Sequence, residues 1–373
     1  MQSYTSLSLL TNGVSTAYSP LLANCWFTSK TNSKLIRFVF TAAWLFLGFG
    51  VAQRTLHAQD IGAQVNSEFK ACNYACTVQI PSGTYQQSTT INFPCVSVGT
   101  AMLIGAGPST VLNYTGSGDS IAALCTGQPM ENFIVKDLKV TLTSSARSGI
   151  HMSGFNGGLI ENVSVSGGTN ADGILNQGAN AVTIQNSNFY SNANGIHNIS
   201  IQNYSPNAIH VIGGQIFSNS NCGVYEQGSS FGRQIGNLYQ GITFQYNGTN
   251  NVATSGQMCL ESYANLTVRD NYFEYSCSQT VPYTIWAGDS AYQPGTGLFE
   301  GNAFLSCGAT ASINLANSFA TTFISNGESG AIACFITQGS STWDTTSMAN
   351  YALAVKAFAC GNTNINYVST STN

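Results

Sequence analysis

The chain has 373 residues, of which only 7% are charged, and its formal net charge is −4. With 11 basic residues and no basic stripe, the composition excludes nucleic acid as a partner. The low charge and the abundance of Gly, Asn, Ser and Thr predict a turn-rich, all-β extracellular scaffold.

Residues 1–58 are predicted to be a signal peptide or a signal anchor. Three basic residues precede an apolar run from Phe38 to Ala52, whose 15 residues are short for a membrane span but suit the core of a signal peptide. Leu56-His57-Ala58 fits a cleavage site. Cleavage would leave a formal charge of −8, because four basic residues and no acidic residue lie in this segment. We therefore expect a secreted or cell-envelope protein that contacts a membrane only through an uncleaved N-terminal segment.

Residues 59–127 are predicted to form an N-terminal cap and the first coils of the fold. Ile61, Val65 and Phe69 recur at every fourth position, which indicates an amphipathic helix between Asp60 and Cys72. Such a helix would cover the open end of the first coil and its exposed strand edges.

Residues 128–340 contain a repeated six-residue pattern with apolar first and sixth places. Asn, Asp or Gly usually stands third, which predicts a left-handed backbone at one corner of each repeat. Successive copies begin 24 to 31 residues apart, so each repeat is one stacked supersecondary unit. The copies are Val135–Val140, Ile160–Val165, Ile184–Phe189, Tyr239–Phe244, Val268–Phe273 and Phe299–Phe304, with a degenerate copy at Val211.

A second column of short strands follows the first, with Gly at the start of several copies. Alternation along these strands predicts one inward and one outward side chain per coil. The residues expected inside are Ile150, Ile174, Ile196, Val224, Cys259, Ile285 and Ile313, and those expected outside are His151, Leu175, His197, Tyr225, Leu260, Trp286 and Asn314.

Short strands separated by turns, without helices, describe a coil of parallel strands wound into a solenoid. With Ile80–Tyr85 and Leu103–Gly107, the repeats resemble the right-handed parallel β-helix of the pectate-lyase-like superfamily over residues 60–340. The resemblance implies an all-β right-handed parallel β-helix solenoid, here with a short N-terminal capping helix, but no particular reaction. The Asn-Thr-Asp, Asp-Asp, Gly-His-Gly and Arg-Ile-Lys signatures of polygalacturonases are absent, as are the Trp-x-Asp-His and Arg-x-Pro-x-x-Arg signatures of pectate lyases.

Residues 341–373 are predicted to be a C-terminal cap and tail, in which Tyr351–Cys360 fits a strand or a helix. Ten of the 11 cysteines follow residue 58, and an even number predicts disulfides in an oxidising compartment. Cys277 and Cys307 occupy nearly the same place on adjacent coils, about 5 Å apart, which suits a disulfide. Further predicted pairs are Cys222–Cys259 and Cys334–Cys360, whereas the pairing among Cys72, Cys76, Cys95 and Cys125 stays open.

The predicted catalytic residues are Glu226, Glu261, Arg233 and His197. The two glutamates stand at the ends of equivalent strands on successive coils. Their carboxyls are therefore expected within about 5–7 Å of each other. One of two such carboxyls should have a raised pKa, and glycoside hydrolysis requires such a pair. Lyase chemistry would instead use Arg233 to hold a sugar carboxylate and His197 or Tyr225 to transfer a proton.

The predicted substrate-binding residues are His151, Tyr225, Trp286, Asp172 and Asp289. The rings suit stacking on sugars, and the longest insertion, residues 227–257, would wall a groove beside them. The alternative is that these rings only cover the sheet, and that the carboxylates cap turns or hold a structural cation.

The sequence therefore predicts a secreted, carbohydrate-active protein that either only binds a polysaccharide or also cleaves it, as a lyase or a glycoside hydrolase. The alternative is a non-enzymatic adhesin or cell-envelope β-helix, favoured by the low charge and the missing signatures. No Cys or His spacing indicates a metal site. A divalent cation such as calcium would be needed only for a strongly anionic polymer, which a charge of −8 disfavours. The sequence carries no indicator of an oligomeric state.

Overall fold

A computed structural model describes residues 60–72, 76–95, 100–125, 133–250, 254–275, 283–288, 295–306, 310–316, 320–330, 334–338, 345–352, 357–361 and 365–372. The chain divides into two units, residues 1–54 and 55–373, and the described residues all belong to the second. The predicted targeting segment lies outside the described residues, as do Cys277, Cys307 and Asp289.

Helix α1 (Ile61–Ala71) confirms the predicted N-terminal helix. Asp60 is its N-cap and accepts a hydrogen bond from the Gly62 amide at 3.1 Å. Ile61, Val65 and Phe69 are buried on one face, against the first coil. Within the described residues, no helix has the length and apolar character needed to cross a membrane.

The rest of the described chain is a parallel β-helix built from a 20-stranded sheet, an 11-stranded sheet and one additional strand pair. In chain order the strands are β1 (Thr77–Gln79), β2 (Gly83–Gln87), β3 (Ile91–Asn92), β4 (Ala101–Ile104), β5 (Thr110–Tyr114), β6 (Asp119–Leu124), β7 (Phe133–Leu142), β8 (Ser148–Ser153), β9 (Asn156–Ser166), β10 (Asp172–Gln177), β11 (Asn180–Gln185), β12 (Asn188–Tyr190), β13 (Asn194–Ile199), β14 (His210–Ile212), β15 (Gln215–Phe217), β16 (Cys222–Gln227), β17 (Gln234–Ile235), β18 (Leu238–Gln240), β19 (Thr243–Gln245), β20 (Gly256–Leu260), β21 (Tyr263–Ala264), β22 (Leu266–Arg269), β23 (Tyr272–Glu274), β24 (Tyr283–Ala287), β25 (Gly297–Glu300), β26 (Ala303–Leu305), β27 (Ala311–Leu315), β28 (Thr321–Ile324), β29 (Gly327–Glu328), β30 (Cys334–Gln338), β31 (Thr345–Ala352), β32 (Ala357–Gly361) and β33 (Ile365–Thr372).

The first predicted column lies in the larger sheet, in the predicted register. Its apolar first residues pair directly from coil to coil, and the degenerate copy at Val211 keeps the register. The third residue has a positive φ in each copy from Asp137 (57°) to Ser325 (54°), which bends the strand at one corner. The paired first residues are Val135, Ile160, Ile184, Val211, Tyr239, Val268, Phe299 and Phe323.

A buried ladder of asparagines follows this corner in the later coils. The backbone N–H of Asn271 donates to Asn302 Oδ1 at 3.1 Å, and the N–H of Asn302 donates to Asn326 Oδ1 at 3.1 Å. The Asn302 amide also donates to the Val268 carbonyl at 2.9 Å. Each asparagine thus pairs backbone groups that the turn leaves without partners in the sheet.

The second column forms the 11-stranded sheet, and one part of its predicted alignment is wrong. Val224 pairs with Met258, Tyr225 with Cys259, and Glu226 with Leu260. Met258 therefore points inward and Cys259 outward, opposite to the prediction for Cys259 and Leu260. Met258, Cys259 and Leu260 are all apolar, so alternation could not fix their phase. The other predicted inward residues of this column pair directly with one another from coil to coil.

Four disulfides lie among the described residues. Cys222–Cys259 and Cys334–Cys360 confirm two predicted pairs. The pairing left open by the sequence is Cys72–Cys76 and Cys95–Cys125. Strands β31, β32 and β33 carry parallel coils through the segment predicted to be a cap and tail, and the undecided Tyr351–Cys360 stretch contributes to β31 and β32.

We expect Asn302→Ala to lower the free energy of unfolding by about 2 kcal/mol or more, because it leaves buried backbone groups of Val268 and Asn271 unpaired. Chemical denaturation measures the change. Gln86→Ala, at an exposed amide of β2, is the control and should change stability by less than about 0.5 kcal/mol. Equal effects of the two substitutions would contradict the role given to the ladder.

Candidate functional site

The outer face of the 11-stranded sheet carries a column of side chains that we call the outer column. It consists of Ala122, His151, Leu175, His197, Tyr225, Cys259, Trp286, Asn314 and Thr337, paired in register from β6 to β30.

Both histidines of the outer column sit in the same three-coil arrangement. His151 Nδ1 lies 2.9 Å from Asp119 Oδ2 on the preceding coil, and Nε2 lies 2.8 Å from Gln177 Oε1 on the following coil. Arg147 binds the same Asp119 carboxylate, with Nε donating at 2.8 Å. Burial works against the charged form of Asp119, but the hydrogen bonds from His151 and Arg147 outweigh it and hold the pKa of this carboxyl well below its usual range. Since His151 is only 3% exposed, its ring edge is largely closed to a ligand.

His197 repeats the arrangement two coils further on and is more open. Its Nδ1 donates to Asp172 Oδ2 at 2.8 Å and its Nε2 to Gln227 Oε1 at 2.7 Å. Donation from both nitrogens is the pattern of an imidazolium. Burial opposes the charged form, but the Asp172 carboxylate more than offsets this and raises the pKa of His197. The side chains of His197 and Asp172 are 15% and 13% exposed, so both reach the surface.

Tyr225 and Glu261 form a hydrogen-bonded pair next to His197. The Tyr225 ring stacks on the His197 ring with centroids 4.9 Å apart. Its hydroxyl donates to Glu261 Oε1 at 2.6 Å, and the Gly228 N–H donates to Glu261 Oε2 at 2.8 Å. The predicted aromatic stripe therefore exists here, but its rings stack on each other and present their edges rather than their faces.

The predicted pairing of Glu226 with Glu261 on one exposed face is wrong. Glu226 is 0% exposed and lies inside the coil, since the strand alternation that turns Tyr225 outward turns Glu226 inward. Its Oε1 accepts hydrogen bonds from Tyr239 Oη, from Asn237 Nδ2 at 3.0 Å and from Asn198 Nδ2 at 3.2 Å. Burial raises the pKa of Glu226 to about 7, although these hydrogen bonds oppose the rise. A ligand on the outer face would not touch this carboxyl.

The predicted long insertion is not one loop, because strands β17, β18 and β19 of the next coil lie within it. Its first part is a short segment, residues 228–237, which we call the 228–237 loop. Arg233 is exposed on this loop. The loop begins at the Gly228 amide that binds Glu261, which places it at the edge of the outer column.

Trp286 is half-buried in the outer column, one coil beyond Cys259. Asp289 lies outside the described residues. Within the described ranges, no group of three or more His, Cys, Asp or Glu side chains is placed to hold a metal ion. The predicted divalent cation stays a prediction.

Sequence reasoning missed the partners that complete the two histidine arrangements. Gln177 and Gln227 stand at the ends of strands whose middle residues were singled out, whereas Asp119 begins β6, which lies before the predicted column. A signal was present, because Asp172–Gln177 and Cys222–Gln227 share a Gly in second place and a Gln in last place. Once the coils are aligned, that Gln must lie diagonally beside the histidine of the preceding coil.

Comparisons with known proteins identify the fold but no particular family. No family model and no curated protein sequence matches the chain. Its structure is similar to ORF18 of Geobacillus virus E2, with 13% identity and a TM-score of 0.60 over 91% of this chain and 66% of that protein. It is similar to the A-module of the mannuronan C-5 epimerase AlgE4 of Azotobacter vinelandii (15% identity, TM-score 0.57, 84% and 91% coverage). It is also similar to PfbA, a surface adhesin of Streptococcus pneumoniae. The identity is 12% and the TM-score 0.51, over 83% of this chain and 91% of that protein. The chain is thus a parallel β-helix protein, as the sequence predicted.

We expect Glu226→Gln to stabilise the protein at alkaline pH and to leave it nearly unchanged at acidic pH. A carboxyl with a folded pKa of about 7 instead of its ordinary 4.5 contributes stability that is present below pH 4.5 and is lost as the pH rises through about 7. The loss amounts to about 3 kcal/mol at high pH. Denaturant titrations at pH 5 and pH 9 measure the difference, and an equal effect of E226Q at both values would contradict a buried neutral carboxyl.

Proposed function

We propose that this protein binds a polysaccharide along the outer column and carries out proton-transfer chemistry on it at Tyr225 and His197. One observation carries the proposal: these two rings stack at the surface, and each is hydrogen-bonded to a carboxylate, Glu261 or Asp172. A carboxylate partner lets a phenol or an imidazole accept and return a proton.

The arrangement favours a lyase or an epimerase over a hydrolase. Hydrolysis needs two carboxyls about 5–9.5 Å apart. Glu226 is buried away from the outer face, and the carboxyls of Asp172 and Glu261 are already hydrogen-bonded to the two stacked rings, His197 and Tyr225. Removal of a proton beside a sugar carboxylate instead needs one base, one proton donor and a cation. Tyr225 would take the sugar proton as it passes its own proton to Glu261, His197 would donate a proton, and Arg233 would hold the carboxylate.

The similar solved structures support a polysaccharide as the ligand. The name of one neighbour states that it acts on mannuronan, whereas another is described as a surface adhesin. The four disulfides fit an oxidising, extracytoplasmic compartment.

A binding-only adhesin is the second candidate, and one observation favours it. Both nitrogens of His197 and both carboxylate oxygens of Glu261 are already hydrogen-bonded within the protein. Groups engaged in this way hold the face rigid for recognition, but they must exchange partners before they can transfer a proton.

Assays on a panel of plant and microbial glycans will distinguish these functions. Unsaturated sugar ends report elimination, new reducing ends report chain cleavage, and solvent deuterium at C5 reports epimerisation. We expect Tyr225→Phe and Glu261→Gln to lower turnover by about 10²–10⁴-fold, with the apparent affinity for the polymer retained. Tyr190→Phe, which alters a ring stacked on Phe217 on the other sheet, is the matched control.

If Y225F, E261Q and H197Q each kept the turnover of the wild type, these residues would have no role in a reaction. Glycan binding without turnover in the wild type would support the adhesin. Absence of binding to the whole panel would contradict both candidates.

A further inference from the structure

The 228–237 loop is tied to the body of the protein at both ends. Ser229 Oγ donates to the Ser200 carbonyl at 2.8 Å. Gln234 is 1% exposed, and its side-chain amide donates to the Gln227 carbonyl at 2.9 Å. Gln234 and the next residue form the short strand β17, which pairs with β21. These contacts fix the position of the residues between them.

Two of the exposed side chains of the 228–237 loop are neither packed in the core nor paired with a charged group of the described residues. Phe231 is 57% exposed, the largest exposure among the large apolar side chains of the described residues. Arg233 is exposed, and no hydrogen bond or ion pair joins it to the described part of the chain. The other two arginines there have partners, Arg147 with Asp119 and Arg269 with Gln240. An exposed ring and an unpaired guanidinium on a held loop suit a ligand that has an apolar face and an anionic group.

We propose that Phe231 and Arg233 form a binding site for a carboxylate-bearing sugar residue of the polysaccharide, an inference that rests on the proposed function. The aromatic ring packs against the C–H face of the sugar. The guanidinium forms paired hydrogen bonds with the sugar carboxylate, the geometry in which arginine differs from lysine. Arg233 thus supplies a local positive charge in a chain whose formal net charge is −4.

The position of the loop connects this site to the outer column. Gln227 accepts from Gln234 through its carbonyl and from His197 through its side chain. Phe231 is four residues from Gln227, so its backbone lies within about 14 Å of that residue. A sugar bound at the loop would therefore belong to the same polymer that lies on His197 and Tyr225.

Binding of matched charged and neutral polymers tests the inference. The probes are polygalacturonate, polymannuronate and polyglucuronate, each beside its methyl ester, which keeps the ring and removes the charge. We expect the wild type to bind at least one free acid at least about tenfold more tightly than its ester. Arg233→Gln should abolish that preference, Arg233→Lys should restore it only in part, and Phe231→Ala should weaken both forms. Arg269→Gln, on the other sheet, is the control and should change neither.

The failures of the two proposals are distinguishable. Equal affinity of the wild type for acid and ester, or an acid preference that survives R233Q, overturns this inference and leaves polysaccharide binding intact. Binding to neutral glycans alone has the same consequence. Absence of binding to every glycan overturns both proposals. Thermal unfolding of each variant verifies that a lost affinity reflects the site rather than the fold.

Discussion

The hydrogen bonding of each coil to the next, in parallel and residue for residue, is the constraint on which the structure depends. A parallel ladder leaves no freedom of register once one coil is placed, so like side chains stack directly. Inside the coil this stacks the rings of Phe244, Phe273 and Phe304 at 4.8 Å. Outside, it stacks His197 on Tyr225 at 4.9 Å. The core and the candidate site follow from the same repeat.

Much of the fold could be predicted because the first column has an apolar residue at fixed places and a turn residue between them. From Val135 to Phe299 the observed register is the predicted one. In the second column, alternation could not predict which side chains point inward where three apolar residues follow one another, at Met258, Cys259 and Leu260. There the observed pairing of Val224 with Met258 and of Tyr225 with Cys259 sets the phase.

The candidate site was harder to predict, because it depends on contacts between coils rather than on the residues of one strand. Glu226 was placed outside, although the strand phase set by Tyr225 turns it inward. One clue was the tyrosine at 239 in a column of aliphatic and aromatic residues. A buried tyrosine hydroxyl usually has a hydrogen-bond partner, and here Glu226 provides it. The diagonal contacts of His197 with Asp172 and Gln227 needed the three-coil register before they could be inferred.

Disulfide mapping tests the stacking of the coils most directly, since that stacking brings the side chains of the candidate site together. Proteolysis of the unreduced protein followed by mass spectrometry identifies the linked peptides. We expect Cys222 to be joined to Cys259 and Cys334 to Cys360, as adjacent coils in this register require. A bond from Cys222 to a cysteine other than Cys259 would require a different stacking of β16 and β20 and would contradict the placement of Tyr225 and Glu261.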